Sequence, residues 1–173
     1  MIEVVACDQA WPAMAAAIAE VRAALAGIPL EIEHIGSTAV PGLAAKPIID
    51  LMMAAPSLAE VSDRADDLAR IGFRGEDNGM PGRLLFVRDE GGRRTHHLHV
   101  VTAESWPTRN QRILRDHLRA HPEDLRRYAE LKRRLAGRTD ADDYTRAKTE
   151  LIQELTDRAR AERGLPAVPV WEV

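Results

Sequence analysis

Apolar and polar positions change rhythm repeatedly along this chain, and each change predicts a new element. Ala13–Ala26 has helical composition. Trp11-Pro12 opens it, because proline is tolerated at the first helical position, and Gly27 stops it. Leu30–Ile35 alternates apolar and polar, which predicts a short strand. Gly36-Ser37 follows, then a short turn or helix through Pro41–Ala45. Lys46-Pro47 closes that segment, since a residue before proline is pushed out of the α region. Ile48–Ala54 is apolar except for Asp50 and reads as a buried strand. Ser57 and Glu60 form a capping box, predicting a helix that runs to about Ile71 and stops at Gly72. Phe73 to Gly82 reads mostly as loop, with Asp77-Asn78-Gly79 and Pro81-Gly82 as turn signals. Leu84–Arg88 and Thr95–Val101 flank Asp89-Glu90-Gly91-Gly92, the pattern of a β-hairpin.

After Val101 the rhythm is helical. One helix ends near His121. Pro122, with Glu123 and Asp124 behind it, starts a second that Gly137 ends. Thr139, followed by Asp140, Asp142 and Asp143, starts a third that runs to about Arg163. The tail 164–173 carries Pro166 and Pro169 and reads as extended, with Trp171 as a candidate anchor. The expectation is an α/β or α+β fold, a mixed sheet with flanking helices and a helical C-terminal half. It would be a single domain over 1–173: a sheet-containing core at 1–101, a helical part at 102–163 and the tail.

Composition narrows the function classes. A chain of 173 residues suits one real core, and 45% apolar with 29% charged residues fits a globular protein. The net charge of −3 argues against a strongly basic nucleic-acid binder. The single cysteine, Cys7, allows neither an internal disulfide nor a thiolate cluster and points to a reducing compartment. No apolar run approaches the ~20 residues of a membrane span, and no signal-peptide pattern opens the chain. The expected location is the cytoplasm. Neither a membrane nor a nucleic acid is expected as a partner; the helical half is compatible with a homodimer.

Three clusters carry candidate chemistry. A glycine after a strand lets a ligand approach the backbone closely, and nearby N–H groups can point at phosphate; Ser37 adds a hydroxyl. A helix starting there would add partial positive charge. Asp50, set among Ile, Leu and Met, is costly to bury unless it meets donors or a cation such as a metal carrying nucleotide phosphates. The plain alternative is a tight turn at Gly36-Ser37 and a capping role for Asp50. In the second cluster, Thr95-His96-His97-Leu98-His99-Val100, a strand puts His97 and His99 on one face and Leu98 and Val100 on the other. Imidazoles at that spacing can share a metal or meet a carboxylate; the alternative is two histidines on a solvent face. His34 is a further candidate. The third cluster, Arg109, Arg112, Arg115 and Arg119, lies along one helical face and could neutralise a triphosphate, or pair with Asp116, Glu123 and Asp124. Tyr144 and Lys148, four residues apart, are open to the same two readings.

The stretch Glu33-His34-Ile35-Gly36-Ser37-Thr38-Ala39-Val40-Pro41-Gly42-Leu43-Ala44-Ala45-Lys46-Pro47-Ile48-Ile49-Asp50 resembles the signature of the GrpB family. That domain is also found fused to dephospho-coenzyme A kinase. His97-Leu98-His99-Val100 resembles the family's second motif. Arg115-Asp116-His117-Leu118-Arg119 with His121-Pro122-Glu123 resembles its third, and Tyr128, Lys132, Tyr144 and Lys148 fall where it continues. The resemblance runs from Trp11 to about Ala159. It implies the nucleotidyltransferase superfamily, the polymerase-β-like fold, in which a Gly-Ser holds nucleotide phosphates and a following strand carries two carboxylates, one residue apart, on two magnesium ions. Gly36, Ser37 and Asp50 match the first parts of that pattern. Met52 stands where the second carboxylate belongs, and paired carboxylates are what hold two ions in place.

Three readings follow. The first is metal-dependent transfer of a nucleotidyl group from a nucleoside triphosphate to a small acceptor. Gly36, Ser37, Lys46, Arg115, Arg119 and Lys148 would bind the nucleotide. Asp50, His97 and His99 would hold a divalent metal (magnesium or manganese, with zinc also open) and act in catalysis. The second is a non-catalytic module of the same fold that binds a nucleotide or coenzyme A. The third is another metal-dependent reaction at the Asp/His cluster.

Overall fold

The computed structural model describes residues 11–136 and 141–170, the side chains at 135, 136, 141–145 and 147 excepted. These residues form two compact units that divide between Pro107 and Thr108.

The first unit is built on helix α1, Trp11–Ala24, with Pro12 in its first turn. Ala17, Val21 and Leu25 recur every four residues and are fully buried, which defines the stripe that packs on the sheet. Strand β1 is Glu31–Ile35 and β2 is Ile49–Ala55. Helices α2, Leu58–Ser62, and α3, Ala65–Arg70, follow. Strands β3, Arg74–Glu76, β4, Leu84–Glu90, and β5, Arg93–Thr102, complete the sheet. Its order is β1-β2-β5-β4-β3, and it is mixed: β2 and β5 are parallel, and every other neighbouring pair is antiparallel. One face carries Ile32, Leu51, Met53, Phe86, Leu98 and Val100 against the helices. On the opposite face Ile35, Met52, Ala54, Val101 and Trp106 cluster.

Most elements form where the sequence places them, with three differences. The segment 41–45 holds a turn at Pro41-Gly42, one of the two forms expected there, and the helical piece before it is a single 3-10 turn, Ser37–Ala39. Its length leaves no developed helix dipole to attract an anion, so that part of the phosphate expectation is withdrawn. Ser57 does cap α2, accepting the Glu60 N–H at 3.2 Å, but the helix breaks before Arg64. That residue leaves helical dihedrals, and its guanidinium donates to the Ala24 carbonyl at 2.9 Å and the Ala26 carbonyl at 3.4 Å, the exposed end of α1. The expected loop 73–82 contains β3, because pairing with β4 secures the backbone around the fully buried Phe73. The hairpin strands also extend further than expected, leaving a two-residue turn at Gly91-Gly92. Both have positive φ, 58° and 76°, the type I′ geometry that matches strand twist.

The second unit contains α4, Asn110–Ala120, α5, Pro122–Ala136, and α6, Ala141–Glu162. Pro122 starts α5 as expected, with Glu123 and Asp124 in the first turn. Ile152, Leu155, Thr156, Ala159 and Arg160 form the buried stripe of α6. Residues 165–169 of the tail form neither helix nor strand. Gln153 holds the tail by donating to the Val168 carbonyl and accepting from the Val170 N–H, both at 2.9 Å, while Arg160 Nε donates to the Pro166 carbonyl at 2.6 Å. Cys7, Gly137, Thr139, Trp171 and the Tyr144 side chain lie outside the described residues. Among the described residues no helix is long and apolar enough to cross a membrane.

Candidate functional site

The site is set by sheet register. Asp50 on β2 lies opposite His97 on β5, and Met52 opposite His99. Residues directly opposite in a ladder share a face, so Asp50, His97 and His99 stand together on the face away from α1. His97 and His99 thus share a face, as the alternation predicts. A carboxylate oxygen and one ring nitrogen from each histidine all lie within 4.8 Å of one another.

The polar contacts assign roles. His97 Nδ1 lies 2.7 Å from Asp50 Oδ1, and both side chains are half-buried. Arg94 Nη1 lies 3.2 Å from His97 Nε2. A guanidinium can only donate, so Nε2 accepts and the ring proton sits on Nδ1, directed at Asp50. Arg94 is itself held by Asp89 at 2.6 Å and Glu76 at 3.1 Å. Both nitrogens of His97 are therefore engaged, and it orients the carboxylate. His99 differs: its Nδ1 is sealed from solvent with no hydrogen-bond partner. Burial, then the nearby Arg83 charge, lowers its pKa to about 4, so its ring is neutral at pH 7.

Gly36 explains its own identity. Its φ is 74°, and a Cβ placed there would fall 2.6 Å from Asp50 Oδ2. Only glycine lets the chain cross this close to the carboxylate. The turn that follows is pinned by Thr38, which accepts from His34 Nε2 at 2.7 Å and donates to the Ile48 carbonyl at 3.4 Å. His34 is opposite Leu51 and so lies on the other face from Asp50. It braces the turn and is no part of the cluster.

The remaining candidates fall in both units. Ser37 is half-buried at the start of the turn, and Lys46 is exposed. Arg115, Arg119 and Lys148 belong to the helical unit. Arg115 is buried and donates to Asp116 Oδ1 at 2.7 Å and 2.9 Å, one of the pairings the sequence allows. Met52 is fully buried with Ile35, Ala54, Val101 and Trp106 and offers nothing to a second ion. Arg94 was not legible as a site residue, because a hairpin arginine ordinarily faces solvent. His117 and His121 carried an i, i+4 signal to which the sequence assigned no role.

The donor set suits one ion. Asp50 and His99 could share a single divalent cation, and His97 would have to exchange a bond to join them.

Comparison with known proteins gives a consistent result. The family model described as GrpB protein matches residues 1–158. A UPF0157 protein of Pseudomonas aeruginosa is 42% identical over 174 residues, covering 96% of this chain and 71% of that one. The crystal structure of conserved protein GrpB from Enterococcus faecalis superposes with a TM-score of 0.81 at 28% identity, over 94% of this chain and 99% of that one. A dephospho-CoA kinase of Mycolicibacterium paratuberculosis is 28% identical over 170 residues, 82% of this chain but 41% of its own length.

Proposed function

Since the chain belongs to the GrpB family, we propose that its sheet unit is a nucleotidyltransferase-type site that transfers a nucleotidyl group from a nucleoside triphosphate to a small acceptor. One observation carries this reading. The Gly36-Ser37 turn passes so close to Asp50 that a single methyl group would collide with the carboxylate. A backbone able to meet phosphate therefore lies directly beside a group able to hold the cation that accompanies phosphate.

In this reading Gly36 and Ser37 receive the phosphates, with Lys46 as a neutralising charge. Asp50 and His99 would hold one divalent ion, which when bound would supply charge neutralisation at a phosphoryl oxygen. An imidazole ligand favours manganese or zinc over magnesium. His97 fixes the orientation of Asp50, and Arg94 fixes that of His97. Arg115, Arg119 and Lys148 are proposed as further phosphate contacts, but the reading stands without them.

A second reading, a non-catalytic module that binds a nucleotide or coenzyme A, is favoured by the burial of Met52 where a second carboxylate would be needed. Calorimetric titration of ATP, GTP, CTP, UTP and coenzyme A, each with Mg²⁺, Mn²⁺ or chelator, separates the two. Metal-dependent binding of one triphosphate, lost in Asp50→Asn while the fold is retained, is the expected result. Equal binding in chelator, or binding of coenzyme A alone, would favour the module.

A further inference from the structure

A second group of donors lies where three helix ends meet in the helical unit. His117 is in the last turn of α4, His121 follows that helix, and Glu162 is the last residue of α6. His117 Nδ1 is 3.6 Å from Glu162 Oε2, and His121 Nε2 is 3.4 Å from Glu162 Oε1. We propose that His117 Nδ1, His121 Nε2 and the Glu162 carboxylate bind a divalent transition-metal ion of the zinc class.

The protons of the two rings decide the matter. His117 Nε2 lies 2.7 Å from Asp124 Oδ2 and donates to it. Asp124 also accepts from Arg158 Nη1 at 2.8 Å and 3.0 Å and from Arg127 Nη1 at 3.2 Å. Asp124 is thus a fixed anionic acceptor. His121 Nδ1 donates to the His117 carbonyl at 2.9 Å. The other nitrogen of each ring faces Glu162, where in the neutral ring it would offer a lone pair, and a cation among the three groups would be held by all of them.

His117 Nδ1 is buried without any hydrogen-bond partner, in a side chain only 1% exposed. The separations fit a shared ion better than direct bonds. Charge-assisted N–H···O bonds close to about 2.7–2.9 Å. Two ligands about 2.0–2.1 Å from a tetrahedral ion stand about 3.4 Å apart. The carboxylate behind His117 is the usual support of a metal-bound histidine, and the C-terminal ends of α4 and α6 add partial negative charge. The rings are stacked at 3.9 Å with an 18° tilt. Both can point at one ion only if the stack opens, which falls to the more exposed His121, because Asp124 holds His117.

The test uses the full chain, stripped with chelator and titrated with Co²⁺ and then Zn²⁺. Asp50→Asn disables the sheet site, so that uptake there is counted separately. The expected result is one equivalent of Co²⁺ with tetrahedral visible bands in Asp50→Asn, displaced by Zn²⁺. The bands should vanish when His121→Ala or Glu162→Gln is added, with Zn²⁺ affinity falling more than about 100-fold, beyond what loss of a supporting residue costs. Unchanged uptake in those variants, or no uptake in Asp50→Asn, would overturn the proposal. Should a variant fail to fold, ¹⁵N correlation spectra of the unmodified chain decide. Zn²⁺ must shift His117 Nδ1 and His121 Nε2; unmoved resonances refute the site.

Discussion

At the scale of single residues, Gly36-Ser37 and Asp50 form one feature. Gly36 is glycine because Asp50 lies beneath it, and Asp50 is tolerable in an apolar strand because His97 donates to it. Gly36→Ala should therefore cost about 1–3 kcal/mol, combining a strained positive φ with displacement of the carboxylate. Urea denaturation measures that loss. Weakened triphosphate binding in the folded variant would show that the same contact shapes the site. A variant as stable as the parent would mean the turn relaxes freely and the close approach has no consequence.

At the scale of elements, the hairpin invites a sharper test. Gly91 and Gly92 both have positive φ, so Gly92→Ala should destabilise the chain by about 1 kcal/mol, whereas Gly91→Asn should be near neutral. Thermal melts of the two variants check the ordering. This turn was legible in the sequence because its glycines and flanking strands agree. The capping box at Ser57 was equally legible, since its signal is local. What failed was decided at a distance. Nothing near Arg64 in sequence says that its guanidinium will reach the end of α1 and interrupt the following helix. Strand β3 is short and polar and exists because β4 is there to pair with it. The pairing of Asp50 with His97 depends on a register between β2 and β5 that neither strand encodes alone, although the face shared by His97 and His99 was readable from alternation. The histidine pair at the end of α4 was visible as spacing, but its meaning rests on Glu162, a full helix later.

At the scale of the whole molecule, buried neutral histidines tie stability to acidity. Burial and the Arg88 charge lower the His96 pKa to about 4, and burial with the Arg83 charge does the same for His99. The unfolded chain takes up these protons near the ordinary value of 6.5, whereas the folded chain resists until about pH 4. The unfolded state thus binds more protons through this window, and stability falls as pH drops from about 6.5 to 4. Each group contributes a loss of about 2–3 kcal/mol by the lower end. Urea midpoints recorded in chelator across pH 4–7 should decline accordingly, and His96→Gln should flatten the slope. A flat profile in the parent would place both rings in contact with water.

The sheet order has a kinetic consequence. Its two edges are antiparallel ladders of short-range pairings, joined by the single parallel seam between β2 and β5. Such a seam must close a long stretch of chain before its contacts are formed, so it is the slow, late event in assembling a sheet. Asp50 and His97, 47 residues apart, face each other across that seam. A nascent chain that has zipped both edges still holds Asp50 apart from His97, and the candidate site is assembled only when that seam closes.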